Sequence, residues 1–304
     1  MADIKNVAIV GIGALGIMYG EHIKASGKAD LSFIMDENRL AKHKDDSYTV
    51  NGVAQSFNFL SPKDASVMDL IIVATKFNGL DDAIEETAPF VGENTIIFSV
   101  LNGITSEEKL IERFGKKNIL HCVVLGMDAV RNGNDLVYQH KGIVKIGAVD
   151  ELNNKALDKL CAFFDSISLP YSRETDILHA LWAKLLLNVG INQTCMIYET
   201  NYGGAFDNDE ARENMYAAMH EVIDVAQAEG VNLTEEDLKA SVKVLQGLAY
   251  EGMPSMRQDA LARRKSEVDL FAGTIIALAK KHSIPTPVND MYYKKIKEIE
   301  EAYV

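Results

Sequence analysis

Three polar side chains share one face of an otherwise apolar segment, Leu181-Trp182-Ala183-Lys184-Leu185-Leu186-Leu187-Asn188-Val189-Gly190-Ile191-Asn192. Lys184, Asn188 and Asn192 stand at i, i+4 and i+8. A helix lines them up over roughly 12 Å at 1.5 Å rise per residue. The other positions are apolar all round, the pattern of a buried helix. A buried lysine flanked by two amides is costly unless it is paired or serves a ligand. An ammonium with neutral amide donors can hold and protonate a developing oxyanion. The bland alternative is an internal hydrogen-bond network. A second polar cluster is Pro254-Ser255-Met256-Arg257-Gln258-Asp259, followed by Lys265-Ser266-Glu267-Val268-Asp269. Taken alone, Glu267 reads as an acid near a helix start, a position usually filled by dipole partners. A third is Val100-Leu101-Asn102-Gly103, where Asn-Gly is either a turn or an amide facing a ligand.

A glycine-rich turn opens the chain. Asn6-Val7-Ala8-Ile9-Val10 is an apolar strand, and Gly11-Ile12-Gly13-Ala14-Leu15-Gly16 follows it into a helical pattern. This is the strand–turn–helix setting in which Gly-x-Gly-x-x-Gly cradles a dinucleotide pyrophosphate at a helix N-terminus. Asp36 comes twenty positions after Gly16, where a carboxylate can accept from the adenosine ribose hydroxyls. It repels a 2′-phosphate, so NAD is favoured over NADP. Glu37 could take the same role, and Arg39 could turn toward a 2′-phosphate. Ala74-Thr75-Lys76 ends another apolar run, at the strand end where sheet ligands bind.

The elements that must position these groups fall into two halves. Strands are expected at 6–10, 31–35, 69–74, 95–100 and 119–125, and helices near 15–26, 38–44, 78–89 and 106–114. Near-continuous apolar strands alternating with helices indicate a doubly wound, mostly parallel α/β sheet. Residues 135–148 read as added antiparallel strands, and 151–167 as a helix before a short strand. Beyond about 174 strand signals give way to helices near 175–197, 208–229, 235–248, 258–282 and 286–301. The expected organisation is therefore a dinucleotide-binding Rossmann domain over 1–174 and an all-helical substrate domain over 175–304. A cleft between domains is the default place for a substrate.

Bulk properties narrow the function classes. The chain has 304 residues, enough for two cores, with 47% hydrophobic and 25% charged residues. A net charge of −13 argues against a nucleic-acid or anionic-membrane partner. The N-terminus has no secretory pattern, and no apolar run approaches a bilayer span. Cys122, Cys161 and Cys195 form no metal spacing and read as buried free thiols in a reducing cytoplasm. No metal site is expected.

These motifs together resemble the ketopantoate reductase family along nearly the whole chain. The carriers are Gly-Ile-Gly-Ala-Leu-Gly at 11–16, Ala-Thr-Lys at 74–76 and Leu-Asn-Gly-Ile at 101–104. The helical half adds Trp182-Ala183-Lys184-Leu185 with Asn188 and Asn192, Ser255-Met256-x-Gln258-Asp259, and Ser266-Glu267-Val268-Asp269 with Gly273. The resemblance implies reduction of 2-dehydropantoate to pantoate with NADPH, a step toward coenzyme A. It also implies a helical domain of the 6-phosphogluconate dehydrogenase-like type. It makes Lys184 the catalytic lysine and Glu267 the glutamate that binds the substrate hydroxyl and orients that lysine. Asn102, Asn188, Asn192, Ser255 and Asn201 match substrate positions, with Ser255 near the carboxylate. Lys76 matches a cofactor-loop lysine. One departure is Asp36, where the family commonly has an arginine for the 2′-phosphate. Relatives of the family include NAD-dependent D-2-hydroxyacid dehydrogenases acting on branched or aromatic 2-keto acids, which is the alternative reading. A third is a non-enzymatic NAD-binding sensor, which the intact Lys184/Glu267 pair disfavours. A homodimer is left open.

Overall fold

The computed structural model describes residues Asp3–Tyr303. The chain divides into two compact units. One runs through Leu101 and again over Ser106–Ile177; the other takes Asn102–Thr105 and everything from Leu178 onward. The short return at 102–105 departs from the expected single crossing near residue 174, because Asn102 and Gly103 pack against residues 184, 267 and 270 of the helical half.

The first unit is built on an eight-stranded sheet. In chain order its first elements are β1 (Asn6–Val10), α1 (Ala14–Ser26), β2 (Asp30–Ile34), α2 (Glu37–His43), β3 (Tyr48–Val50), β4 (Val53–Gln55), β5 (Asn58–Leu60), β6 (Leu70–Val73) and α3 (Leu80–Thr87). They are followed by β7 (Ile96–Ser99), α4 (Ser106–Phe114), β8 (Ile119–Met127), β9 (Val130–Asn132), β10 (Asp135–Val137), β11 (Lys141–Gly147), α5 (Asn154–Ser166) and β12 (Tyr171–Arg173). The large sheet runs β12-β11-β8-β7-β6-β1-β2-β5. All neighbours from β8 to β5 are parallel, and β11 joins β8 antiparallel. The order around β1 reverses direction between β1 and β6, the switch point at which such sheets bind ligands.

Strand alternation builds a core on each face. Val7, Ile9, Phe33, Leu70, Ile72 and Phe98 point to one face, where Ile17, Met18 and Ile23 of α1 and Leu160 and Phe164 of α5 cover them. Ala8, Val10, Ile34, Ile71, Val73 and Ile97 point to the other, under Leu80 and Ile84 of α3 and Leu110 of α4. Each fully buried aliphatic or aromatic side chain contributes about 1.5–3 kcal/mol. A second sheet, β4-β3-β10-β9, was not anticipated. Its strands are three residues long, too short for a periodic signal, and β10 pairs with β3 in parallel 86 residues away.

The second unit is helical: α6 (Ile177–Ile197, beginning at the last residue of the first unit), α7 (Tyr202–Asp207), α8 (Asp209–Ala228), α9 (Glu235–Gln246), α10 (Ser255–Leu261), α11 (Thr274–His282) and α12 (Pro287–Glu301). Gly190 of α6 lets α8 approach, since an added Cβ would lie 2.7 Å from Met219. Two expectations are corrected. The single helix expected over 258–282 is broken: α10 ends at Leu261, Arg263 beyond it has φ 51°, residues 262–268 are not helical, and a π-turn over Asp269–Gly273 leads into α11. Helix α7 was missed because Gly203-Gly204 reads as loop. Asn201 caps it, accepting from Gly204 N at 2.8 Å, and Tyr250 packs over Gly203.

Among the described residues no helix is long and apolar enough to cross a membrane. Cys122, Cys161 and Cys195 are buried free thiols, and no cluster of potential metal ligands occurs among the described residues.

Candidate active site

The glycine turn is shaped by steric necessity. Gly11 has φ +108°, and a Cβ there would lie 2.5 Å from the Ala74 backbone at the end of β6. A Cβ on Gly16 would run into the Gly11 carbonyl oxygen. Gly13 differs: its Cβ would meet no protein atom closer than Ala74 O at 3.7 Å. Its missing side chain leaves room for something outside the protein. Helix α1 starts there with no side-chain cap and no acid in its first turn. Its first amides and dipole thus face outward, as an anion site requires. This fits a dinucleotide pyrophosphate.

Val10 is in register with both Ile34 and Val73, so the glycine turn, Asp36 and Ala74–Lys76 all leave adjacent strands at one edge. Asp36 lies beyond β2 rather than in it. It caps α2, with Oδ1 accepting from Asn38 N at 2.8 Å and Arg39 N at 2.9 Å. Lys76 is exposed and opens the 3₁₀ turn Phe77–Gly79. Arg131, which sequence reasoning did not single out, donates to the Ile12 carbonyl inside the glycine turn and to Gly133 O at 2.7 Å. A lone arginine in a Val-Arg-Asn-Gly hairpin carries no signal of this.

The polar row on α6 exists within the second unit. Asn102 joins it: Lys184 Nζ donates to Asn102 Oδ1 at 2.9 Å, and Asn102 Nδ2 donates to Glu267 Oε2 at 2.9 Å. The amide thus links the ammonium and the carboxylate, and fixes its own flip state in doing so. Gly103 permits the turn with φ +85°, so the turn reading of Asn-Gly applies. Further along the same helix face, Asn192 Nδ2 donates to Asn188 Oδ1 at 3.2 Å, and Asn192 Oδ1 accepts from Ser255 Oγ at 3.2 Å. Lys184 and Glu267 are half-buried, while Asn188 and Asn192 are buried. Asn201, besides capping α7, donates to Glu251 at 2.7 Å.

Sequence reasoning also missed the buried polar groups that frame this row. Gln193 is fully buried and accepts from Ala272 N at 3.2 Å; Thr194 shares a hydrogen bond with Tyr292 Oη at 2.6 Å. They sit beside Asn192 in a helix read as apolar, where only their polarity could have marked them.

A doubly wound sheet with an uncapped glycine-turn helix start is the frame of the dinucleotide-dependent oxidoreductases. Comparison with known families is specific. The family described as "Ketopantoate reductase PanE/ApbA" matches residues 7–151, and "Ketopantoate reductase PanE/ApbA C terminal" matches residues 176–300. The chain belongs to the ketopantoate reductase family and is an oxidoreductase of the 2-dehydropantoate 2-reductase type. The 2-dehydropantoate 2-reductase of Aquifex aeolicus (strain VF5) is 26% identical over 306 residues, covering 97% of this chain and 96% of that protein. The PanE/ApbA family ketopantoate reductase from Ralstonia eutropha JMP134 shares the fold with a TM-score of 0.85 at 22% identity, covering 98% of this chain and 99% of that one. D-mandelate dehydrogenase, in a ternary structure with NADH and anilino(oxo)acetate, shares it with a TM-score of 0.86, 22% identity and the same coverage.

Proposed function

We propose that this enzyme reduces the C2 carbonyl of a small 2-keto acid with NAD(P)H, and that 2-dehydropantoate, giving pantoate, is its substrate. The observation that carries the reading is the Lys184–Asn102–Glu267 link, set on the same helix face as Asn188 and Asn192. In this reading Gly11–Gly16 with Ile12, Ala14 and Leu15 holds the pyrophosphate, Lys76 and Asn102 approach the cofactor, and Asp36 Oδ2 takes the ribose hydroxyls. The nicotinamide, when bound, supplies the hydride.

The protein's own residues handle charge and proton. Lys184 Nζ hydrogen-bonds the keto oxygen and gives it a proton as negative charge develops there. Asn102 Oδ1 keeps one N–H of that ammonium directed, so little reorganisation is needed when the charge appears. Glu267, held by Asn102 Nδ2, is placed to accept from a substrate hydroxyl and to favour the charged lysine. Asn188, Asn192 and Ser255 offer directional donors to the carboxylate and hydroxyl oxygens. A positioned acid of this kind is worth about 10²–10⁴-fold in rate.

A second reading is a D-2-hydroxyacid dehydrogenase acting on branched or aromatic 2-keto acids. Asp36 favours it, because a carboxylate at the ribose end suits NADH. Initial rates with 2-dehydropantoate and with 2-ketoisovalerate, each with NADH and NADPH, separate the two. The highest kcat/KM is expected on 2-dehydropantoate. A higher value on 2-ketoisovalerate selects the second reading, and no nucleotide oxidation with any 2-keto acid overturns both.

A further inference from the structure

Glu267 sits at the end of the non-helical stretch 262–268, where its carbonyl accepts from Leu270 N at 2.9 Å and Phe271 N at 3.2 Å. Ser266 and Asp269, on either side of it, are also tied to one helix. On one side, Ser266 donates both its backbone N–H, at 2.7 Å, and its hydroxyl, at 2.6 Å, to Glu300 Oε1. On the other, Asp269 Oδ1 accepts from Tyr293 Oη at 2.8 Å and Oδ2 from Lys297 Nζ at 2.7 Å. Tyr293, Lys297 and Glu300 are i, i+4 and i+7 on α12, and so form one stripe. Glu300 is only 7% exposed. A buried carboxylate is costly unless its oxygens are satisfied, and Ser266 supplies two of the donors.

The same helix reaches back to the lysine's helix. Tyr292 Oη meets Thr194 Oγ1 at 2.6 Å, and Gln193 Nε2 donates to Asn289 Oδ1 at 3.4 Å. Thus α12 touches α6, which carries Lys184, and both flanks of Glu267.

We propose that Tyr293, Lys297 and Glu300 are positioning residues, and that α12 fixes Glu267 at the reach Asn102 requires. This rests on the catalytic role proposed for Glu267. Such fixing matters because a reacting group displaced by about 1 Å can cost 10²-fold in rate. A purely structural role is the competing account, and it predicts a different pattern. The Asp269–Lys297 pair is half-exposed, with side chains 40% and 34% accessible, so it adds little to global stability.

The test is the double variant Tyr293→Phe/Lys297→Met, which removes both donors to Asp269 and keeps the ring and the stem. Amide hydrogen exchange over 266–271 should quicken about tenfold while the β1 and β6 amides stay unchanged. With NADH and the best 2-keto acid, kcat/KM should fall about tenfold and nucleotide affinity should hold. In a Glu267→Gln background the same two changes should cost less than about twofold, because residues acting through one group are not additive. Lys297→Arg, which keeps the donor, should retain most of the rate. Equal losses in both backgrounds, or unchanged exchange over 266–271, would overturn the proposal. A wild-type enzyme inert toward every 2-keto acid overturns the reaction instead; the exchange measurement then decides the clamp alone.

Discussion

Asn102 carries more than its size suggests. Its amide ties Lys184 to Glu267, at 2.9 Å on both sides. If the three act as a unit, their losses overlap. Lys184→Ala should lower kcat at least about 10²-fold, the range for loss of a general acid, with nucleotide affinity intact. Asn102→Ala should also lower kcat, and adding it to Lys184→Ala should cost almost nothing more. Independent, multiplying losses in steady-state kinetics would dissolve the unit. Asp36 offers a separate test. Asp36→Arg should shift the kcat/KM ratio toward NADPH; wild-type enzyme already preferring NADPH tenfold, about 1.4 kcal/mol, would remove Asp36 from nucleotide choice.

At the scale of the element, the turn into α1 separates room for the fold from room for a ligand. Gly16→Ala pushes a methyl group into the Gly11 carbonyl and should lower the melting temperature, as overpacking by about 1–3 kcal/mol does. Gly13→Ala meets nothing nearer than 3.7 Å in the protein. It should leave the melting temperature almost unchanged and weaken nucleotide binding, measured by NADH fluorescence, about tenfold or more. Equal binding would refute pyrophosphate contact at Gly13. Helix α4 and strand β8 carry a pH dependence. Burial lifts Glu107 from 4.5 to about 7, partly offset by hydrogen bonds led by Ser106, and burial lowers His121 from 6.5 to about 4. Folding therefore favours protonated Glu107: its contribution is complete below pH 4.5 and is lost as pH rises through 7. Folding favours neutral His121, whose contribution is complete above pH 6.5 and is lost as pH falls through 4. Glu107→Gln should flatten the fall in unfolding free energy between pH 5 and pH 8, by up to about 3 kcal/mol. An unchanged slope in calorimetry would assign the fall to another group.

Across the whole molecule, what could be read in advance follows from periodicity. The strands of the parallel sheet were legible because buried parallel strands are near-continuous apolar runs, and Asn6–Val10 and Ser106–Phe114 emerge with the expected bounds. The row Lys184, Asn188 and Asn192 was legible because helical spacing alone brings it together. The three-residue strands at 48–60 and 130–132 were not, since three residues are too short to show a period. Nor was the break at 262–268, where Ser266 donates to Glu300, 34 residues further on. The role of Asn102 was legible only as a polar residue at a strand end; its two partners lie 82 and 165 residues further on.

That return of Asn102–Thr105 to the helical unit has a consequence for the order in which the protein is made. A nascent chain grows at about 5–20 residues per second. Asn102 therefore leaves the ribosome roughly 10–30 s before Glu267, 165 residues behind it. For that interval the parallel sheet can form around β1, β2, β6 and β7 while its amide has neither lysine nor carboxylate to meet. A chain released between residues 178 and 266 has every strand of the large sheet but lacks the carboxylate that Asn102 Nδ2 meets. The link is completed last, once the C-terminal helices meet a loop made about a third of the way through synthesis.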